Sequence, residues 1–300
     1  MSTDQAVQGR VTATHGRHTT VEFADGSRRK CFTRGKKSGL AVGDQVMVAL
    51  EGKSEGAIDA ILPRRNIFYR SDASRSKQFA ANIDQLLIVL APEPDFSDDL
   101  TGRALAAAWS ADIRPIIVLN KADLAAKLDT ARARLAPLER LGVTILTLSA
   151  RDADQVHRIL DPILHQRSTL LLGQSGMGKS TLLNTLVPLA LAPTQTHSEA
   201  LGTGRHTTTA TRSYALASGG DLIDSPGFQA FGLQHLSAQE IEHGFPEFAP
   251  AIEHCRFYNC THRREPDCGV LAAIARGDID SSRHELYLRI LAENEAAQRY

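Results

Sequence analysis

The first sixty residues alternate between apolar and polar positions, and the middle of the chain does not. Val7–Val11, Thr19–Phe23, Lys30–Phe32 and Gln45–Leu50 are short runs rich in β-branched or apolar residues, separated by Asp25-Gly26, Gly43-Asp44 and Glu55-Gly56. Such runs, bounded by turn dipeptides, predict strands. About five short strands within residues 6–62 suit a small barrel of the OB or SH3-like type, and strand count does not separate the two.

Arg64-Arg65-Asn66 opens a stretch that stays polar and basic through Lys77 and reads as a linker. Beyond it the pattern changes, and Leu86–Leu90, Pro115–Leu119, Thr144–Leu148, Thr169–Leu172, Ser213–Leu216 and Asp221–Asp224 are candidate strands. Helical stretches such as Leu100–Ser110 and Ala125–Leu141 lie between several of them. Buried strands alternating with helices predict a layered α/β sheet. From about Gln239 the chain reads as helical around a cysteine cluster. The expected division is a barrel over 1–66, an α/β domain over 67–236 and a helical domain over 237–300.

Charge and composition change this picture little. Lys+Arg and Asp+Glu both number 34, so the formal net charge is zero. Residues 1–80, however, hold 14 basic and 8 acidic side chains, a surplus of 14 − 8 = 6 that can steer a polyanion. No apolar run approaches the ~18 residues that span a membrane, and Met1–Gln5 carries no basic leader or apolar core. A cytoplasmic protein is expected, in which four cysteines serve as metal ligands or free thiols rather than disulfides. Cys31, alone in a barrel strand, reads as a small core residue.

Two strings carry nucleotide chemistry, and their order is unusual. Gly173-Gln174-Ser175-Gly176-Met177-Gly178-Lys179-Ser180, followed by Thr181, has the GxxxxGK[ST] form between a strand and a helix. Its glycines let backbone N–H groups reach phosphate oxygens, Lys179 reaches the β- and γ-phosphates, and the Ser180 hydroxyl binds Mg²⁺. Asn120-Lys121-Ala122-Asp123 is the NKxD string with which GTPases read guanine, Asp123 accepting from N1–H and the 2-amino group. Ser149-Ala150 follows where a loop backing the base belongs. Asp224-Ser225-Pro226-Gly227 has the DxxG form, with Asp224 on Mg²⁺ and the Gly227 amide on the γ-phosphate. Thr207 or Thr208, in Gly204–Thr209, is expected to supply a further Mg²⁺ ligand. An ordinary GTPase opens with the phosphate loop and closes with NKxD. Here NKxD comes about fifty residues earlier, so the domain reads as circularly permuted. Phe228 stands where many GTPases orient the attacking water with Gln, and an aromatic ring polarises no water.

Cys255, Cys260, His262 and Cys268 give C-x4-C-x-H-x5-C. Three thiolates and one imidazole make a closed tetrahedral zinc site, structural because no position stays open.

Together these strings resemble the RsgA (YjeQ) family of small-ribosomal-subunit biogenesis GTPases over nearly the whole chain. The resemblance implies an OB-fold barrel, a circularly permuted P-loop GTPase domain and a zinc-binding helical domain. It implies a monomer that binds GTP and GDP with Mg²⁺, docks on the small ribosomal subunit and its rRNA, and acts late in subunit maturation. Intrinsic GTPase activity is implied to be low and raised by the subunit. Phe231–Leu236 matches the segment in which the family places a catalytic histidine, which makes His235 the candidate. Met177 stands where valine is usual. A second reading, an RNA-binding assembly scaffold that uses GTP as a passive conformational sensor, has Lys179, Ser180 and Asp224 against it.

Overall fold

The computed structural model describes residues 6–16, 18–34, 39–52, 54–71, 76–188, 211–225 and 232–298. Strands β1 (Val7–His15), β2 (His18–Phe23), β3 (Arg28–Thr33), β4 (Gln45–Glu51) and β5 (Glu55–Ile61) follow the alternating stretch of the sequence. β1 pairs with β2 and β4, β2 with β3, β3 with β5 in parallel, and β5 with β4. The circuit 1-2-3-5-4 returns to strand 1, a closed five-stranded barrel of the OB type. Its centre is filled by Val11, Val21, Cys31, Val46 and Val48, all fully buried. Burial pushes the Cys31 thiol up to about 11, as befits a core residue.

The expected linker is structured. β6 (Ile67–Ser71) and β7 (Ser76–Ala81) pair as an antiparallel hairpin. Its basic composition hides the cause: Phe68 and Ala80 are buried in the main core at 1% and 0% exposure. Two apolar anchors outweigh a polar average.

Six strands form the α/β layer: β8 (Gln85–Leu90), β9 (Arg114–Leu119), β10 (Thr144–Thr147), β11 (Ser168–Gly173), β12 (Arg212–Ala215) and β13 (Asp221–Asp224). Their spatial order is β10-β9-β8-β11-β13-β12, parallel except for the antiparallel β12–β13 pair. Helices α1 (Asp98–Ser110), α2 (Ala125–Arg140), α3 (Ala153–Leu164) and α4 (Lys179–Leu186) lie between strands. Ser97 caps α1 through Leu100 N and Asp152 caps α3 through Gln155 N, satisfying amides that the first turn leaves over.

Barrel and layer share one eleven-stranded sheet, because β1 pairs with β12 at Ala13↔Arg212. Beside that join, Arg10 donates to both Asp221 oxygens at 2.6 and 2.8 Å, and Asp221 also accepts from the Ser168 and Ser213 hydroxyls.

The C-terminal segment contains α5 (Ala238–His243), a 3₁₀ turn (Pro246–Phe248), α6 (Ala249–Ile252), α7 (Gly269–Arg276) and α8 (Ser281–Ala297). Its apolar residues, among them Phe248, Tyr287 and Ile290, join the same core as the α/β layer. The packing is close: a Cβ on Gly102 of α1 would lie 2.4 Å from Leu286 Cδ2 on α8. Among the described residues no helix is long and apolar enough to cross a membrane.

Candidate nucleotide-binding site and metal centre

The nucleotide motifs converge at the carboxyl ends of β8, β9, β10, β11 and β13, where open α/β sheets bind ligands. Asn120 organises the meeting. It is 2% exposed. Its Nδ2 donates to Met177 O at 2.9 Å, and its Oδ1 accepts from Ala150 N at 2.8 Å. One side chain therefore ties the NKxD turn to the phosphate loop and to Ser149-Ala150. The fit leaves no room at Gly178, whose φ is +89°: a Cβ there would lie 2.2 Å from Asn120 Nδ2. Met177 faces the core at 1% exposure, whereas Ser175, Ser180 and Thr181 are exposed.

A cavity of ≈ 210 Å³ opens beside this junction, lined by Asn120, Lys121, Asp123, Ser149, Ala150 and Thr181 among others. Ser149 Oγ donates to Asp123 Oδ1 at 2.8 Å, and that hydroxyl holds the Asp123 carboxyl below the usual carboxylate range. The carboxylate is thus ionised and acceptor-only at neutral pH, the state required to read guanine donors. Lys121 sits at φ +60° with Nζ donating to Glu93 O at 2.6 Å.

At the phosphate end, Lys179 Nζ is held by Asp224 Oδ1 and by Ser225 O, the latter at 2.8 Å. The expected phosphate-binding ammonium and the expected Mg²⁺ carboxylate are therefore in direct contact. Asp224 is 2% exposed at the end of β13. The Gln174 side chain turns to α1, its Oε1 accepting from Ser97 N at 2.9 Å. Neither this contact nor the Glu93 carbonyl on Lys121 carries a signal in the sequence. Thr207, Thr208 and Gly227 lie outside the described residues, as does Phe228.

His235 is not brought to the phosphate loop. Its ring lies 4.2 Å from that of Tyr69 on β6, in a cavity also lined by Ser110, Ala111 and Asp112 at the C-terminal end of α1. The other end of α1 is the one held by Gln174. The 13 residues of α1 make about 20 Å of helix between the two places. Burial lowers the His235 imidazole to about 4, so it is neutral at pH 7.

Cys255, Cys260, His262 and Cys268 do converge, with all four ligand atoms within 4.8 Å of one another. Cys255 Sγ lies 3.9 Å from Cys268 Sγ, and His262 Nδ1 lies 3.7 and 3.4 Å from those two sulfurs. With Zn–S near 2.3 Å and Zn–N near 2.0 Å, tetrahedral edges come to about 3.8 Å for S–S and about 3.5 Å for S–N. The donors match in kind and spacing. Burial pushes the Cys260 thiol up to about 12, with Cys268 beside it adding to the rise. Crowded thiols resist ionising together, and a dication at their centre removes that conflict. The Glu265 carboxylate braces the ligand loop, accepting from the amides of Thr261, Arg263 and Arg264 at 2.7, 2.8 and 3.0 Å. His262 Nε2 meets Glu242 Oε2 at 2.9 Å. Sequence reading missed both glutamates; Glu242 lies 20 positions from His262, outside any local motif.

Comparison with known proteins agrees with this geometry. The RsgA GTPase family pattern matches residues 61–234. The small ribosomal subunit biogenesis GTPase RsgA of Bordetella pertussis is 67% identical over 301 aligned positions, covering 100% of both chains. The protein of the same name from Burkholderia pseudomallei is 56% identical over 96% of this chain and 93% of its own. Among solved structures, YjeQ from Thermotoga maritima matches at 29% identity with a TM-score of 0.73, covering 96% and 98% of the two chains. YloQ, described as a circularly permuted GTPase, matches at 26% identity with a TM-score of 0.71 over 99% and 98%. With a family pattern across more than half its length and relatives this similar from end to end, the chain belongs to the RsgA family of circularly permuted GTPases.

Proposed function

We propose that this protein hydrolyses GTP to GDP and phosphate as a monomer in the cytoplasm, and that it does so while bound to the small ribosomal subunit during late maturation. The observation that carries the proposal is the Asn120 junction, which gathers the guanine-reading turn, its backing loop and the phosphate loop around one cavity. It stands in a chain 67% identical, end to end, to a protein named for that process.

In the proposed cycle, Asp123 accepts from guanine N1–H and the 2-amino group while the Ser149 hydroxyl holds its carboxylate in place. Adenine offers neither donor, and a site built on such bonds rejects the analogue lacking them. Backbone amides of residues 174–180 and the Lys179 ammonium hold the phosphates. Lys179 exchanges Asp224 for phosphate oxygens, which leaves that carboxylate for the metal. Ser180 and Asp224, with Thr207 or Thr208, would hold Mg²⁺, which would offset the negative charge of the phosphates there. Water attacks the γ-phosphorus, the bond to the β-phosphate oxygen breaks, and phosphate departs. Phe228 orients no water. A role for His235 therefore requires the segment after Asp224 to rearrange, since the ring rests about one α1 length, ~20 Å, away. Such a requirement fits low intrinsic turnover raised by the subunit.

The Cys₃His centre is proposed to hold one structural zinc. Contact with rRNA has support on both flanking modules. On the barrel, His15 stacks on His18 with ring centroids 4.9 Å apart, and Lys30 lies over exposed Phe32. On the metal loop, Tyr258 is fully exposed beside Phe257, which Arg256 covers. Exposed rings next to cations suit unpaired bases. The deciding experiment is GTP turnover titrated with purified small subunits. Turnover should rise with subunit and saturate; turnover indifferent to subunit would overturn the proposal and favour the passive-sensor scaffold.

A further inference from the structure

We infer that Glu242 is the positioning residue of the metal centre, and that through it the centre holds helix α5, which follows the DxxG segment in the chain. The inference rests on the zinc reading above.

The His262 ring is buried, 1% exposed, and has two distinct faces of chemistry. Its Nδ1 looks toward the Cys255 and Cys268 sulfurs, while its Nε2 meets the Glu242 carboxylate at 2.9 Å. An imidazole has one proton in its neutral form. A carboxylate at Nε2 takes that proton as a hydrogen bond, so the lone pair remains on Nδ1, where the metal belongs. Without Glu242 the tautomer is unassigned, and for a neutral imidazole the alternative places N–H against the metal. The ring cannot easily turn away instead. Phe248 meets it edge-on at 6.0 Å, and the His262 carbonyl is fixed by His284 Nε2 at 2.7 Å.

Glu242 does not belong to the ligand loop. It sits 13 residues before Cys255, on α5. That helix starts at a capping box formed by Ser237 and Glu240, buries Ile241 and packs on α1 and α8. Six residues make a helix too short to hold itself together in water. The charge-assisted bond to His262 therefore works in both directions: it orients the ligand, and it anchors α5 to a loop that the metal makes rigid. α5 in turn begins 14 residues after Asp224.

The test uses the full-length protein with zinc bound, its Glu242→Ala and Glu242→Gln variants, and two readouts. The first is zinc transfer to a chromogenic chelator. Removing a hydrogen-bond partner of a metal-bound His typically costs 10–100-fold in affinity, so Glu242→Ala should lose zinc about 10–100-fold more readily. Glu242→Gln, which keeps an acceptor without the charge and preserves the packing, should fall between Ala and wild type. Zinc transfer from both variants at the wild-type rate would overturn the inference. The second readout is amide hydrogen exchange over residues 238–243. Stripping zinc from the wild type should accelerate exchange there, and zinc should protect these amides less in Glu242→Ala. Exchange over α5 indifferent to zinc in the wild type would refute the anchoring. If Glu242→Ala does not fold, Glu242→Gln and the wild-type exchange still decide. A wild-type protein that holds no zinc overturns the zinc reading itself, an outcome distinct from zinc held equally well with and without Glu242.

Discussion

Replacing Asn120 by Ala tests whether the three loops of the nucleotide site are held as one unit. The substitution removes both bonds at once, from Nδ2 to Met177 O and from Ala150 N to Oδ1. Ala150 and Met177 are 3% and 1% exposed, so both backbone groups lie away from bulk water. A buried group left without a partner costs roughly 1–3 kcal/mol, and two give about 2–4 kcal/mol once relaxation is allowed. Part of this appears as lost stability and part as disorder that the nucleotide must repair on binding. If all of about 2.7 kcal/mol falls on binding, GTP and GDP affinity drop ~10²-fold. Asn120→Asp should lose at least as much: although it keeps the bond from Ala150, it sets a carboxylate oxygen against the Met177 carbonyl. Titration with a fluorescent GDP analogue measures the affinity, and amide exchange at residues 149–150 and 174–178 reports the loosening. Affinity within twofold of wild type together with unchanged exchange in both loops would refute the view that Asn120 organises the site.

Asp123→Asn changes the reading of the base without disturbing that junction. GTP binding should weaken on the order of 10²-fold while xanthine nucleotides gain; retained GTP preference in competition binding removes Asp123 from the role. Among the described residues Arg10→Ala leaves the Asp221 carboxylate with the Ser168 and Ser213 hydroxyls, and it should cost about 2 kcal/mol in chemical denaturation, since the pair is only partly buried; no change in midpoint would mean the barrel is held by strand pairing alone. Metal analysis should find about one zinc per chain, and chelation should loosen residues 237–298 because binding and folding are coupled; a protein that purifies without metal and is indifferent to Cys260→Ser contradicts this. His235 has a folded-state value of about 4, below the ordinary ~6.5. The unfolded chain then binds the extra proton first, so this site costs stability as pH falls from about 6.5 toward 4 and nothing above it. The difference between wild type and His235→Gln should widen over that window, and parallel curves would show that the ring is not buried in solution.

Local chemistry was legible in the sequence, and long-range pairing was not. The β8 to β13 strands and α4 fall close to where the sequence places them, and β8, β9 and β11, buried on both faces of the parallel sheet, leave a nearly continuous apolar signal. Lys179 and Asp224 are read from short strings because each string is one turn at a strand end. The hairpin at 67–81 was misread because composition averages over residues, whereas a few buried ones, Phe68 and Ala80 among them, tie it to the core. The Asn120 bonds to Met177 and Ala150 span 57 and 30 positions, and Glu242 reaches His262 across 20. No local period encodes such contacts. The strings also said nothing of where His235 rests, because its contact with the Tyr69 ring spans most of the chain.

Permutation decides which neighbours rest on the nucleotide motifs. β12 would be the exposed edge of the α/β sheet, and β1 of the barrel covers it. That join is locked at Asp221, three residues before Asp224 on the same short strand. The C-terminal module is tied just as closely. Gln174 of the phosphate loop holds the first amide before α1, and within the next two turns Arg103 makes a bidentate pair with Glu293 of α8 at 2.7 Å while Asp99 takes Arg289. Each flanking module is thus one buried strand or one helix away from a group expected to touch phosphate or metal. Close-packed elements of that kind shift as bodies rather than bending. With NKxD first and DxxG last, the chain leaves the GTPase domain beyond β13 and runs directly into α5 and the metal centre. An unpermuted order would place that exit beyond the base-reading loops, on the opposite edge of the sheet.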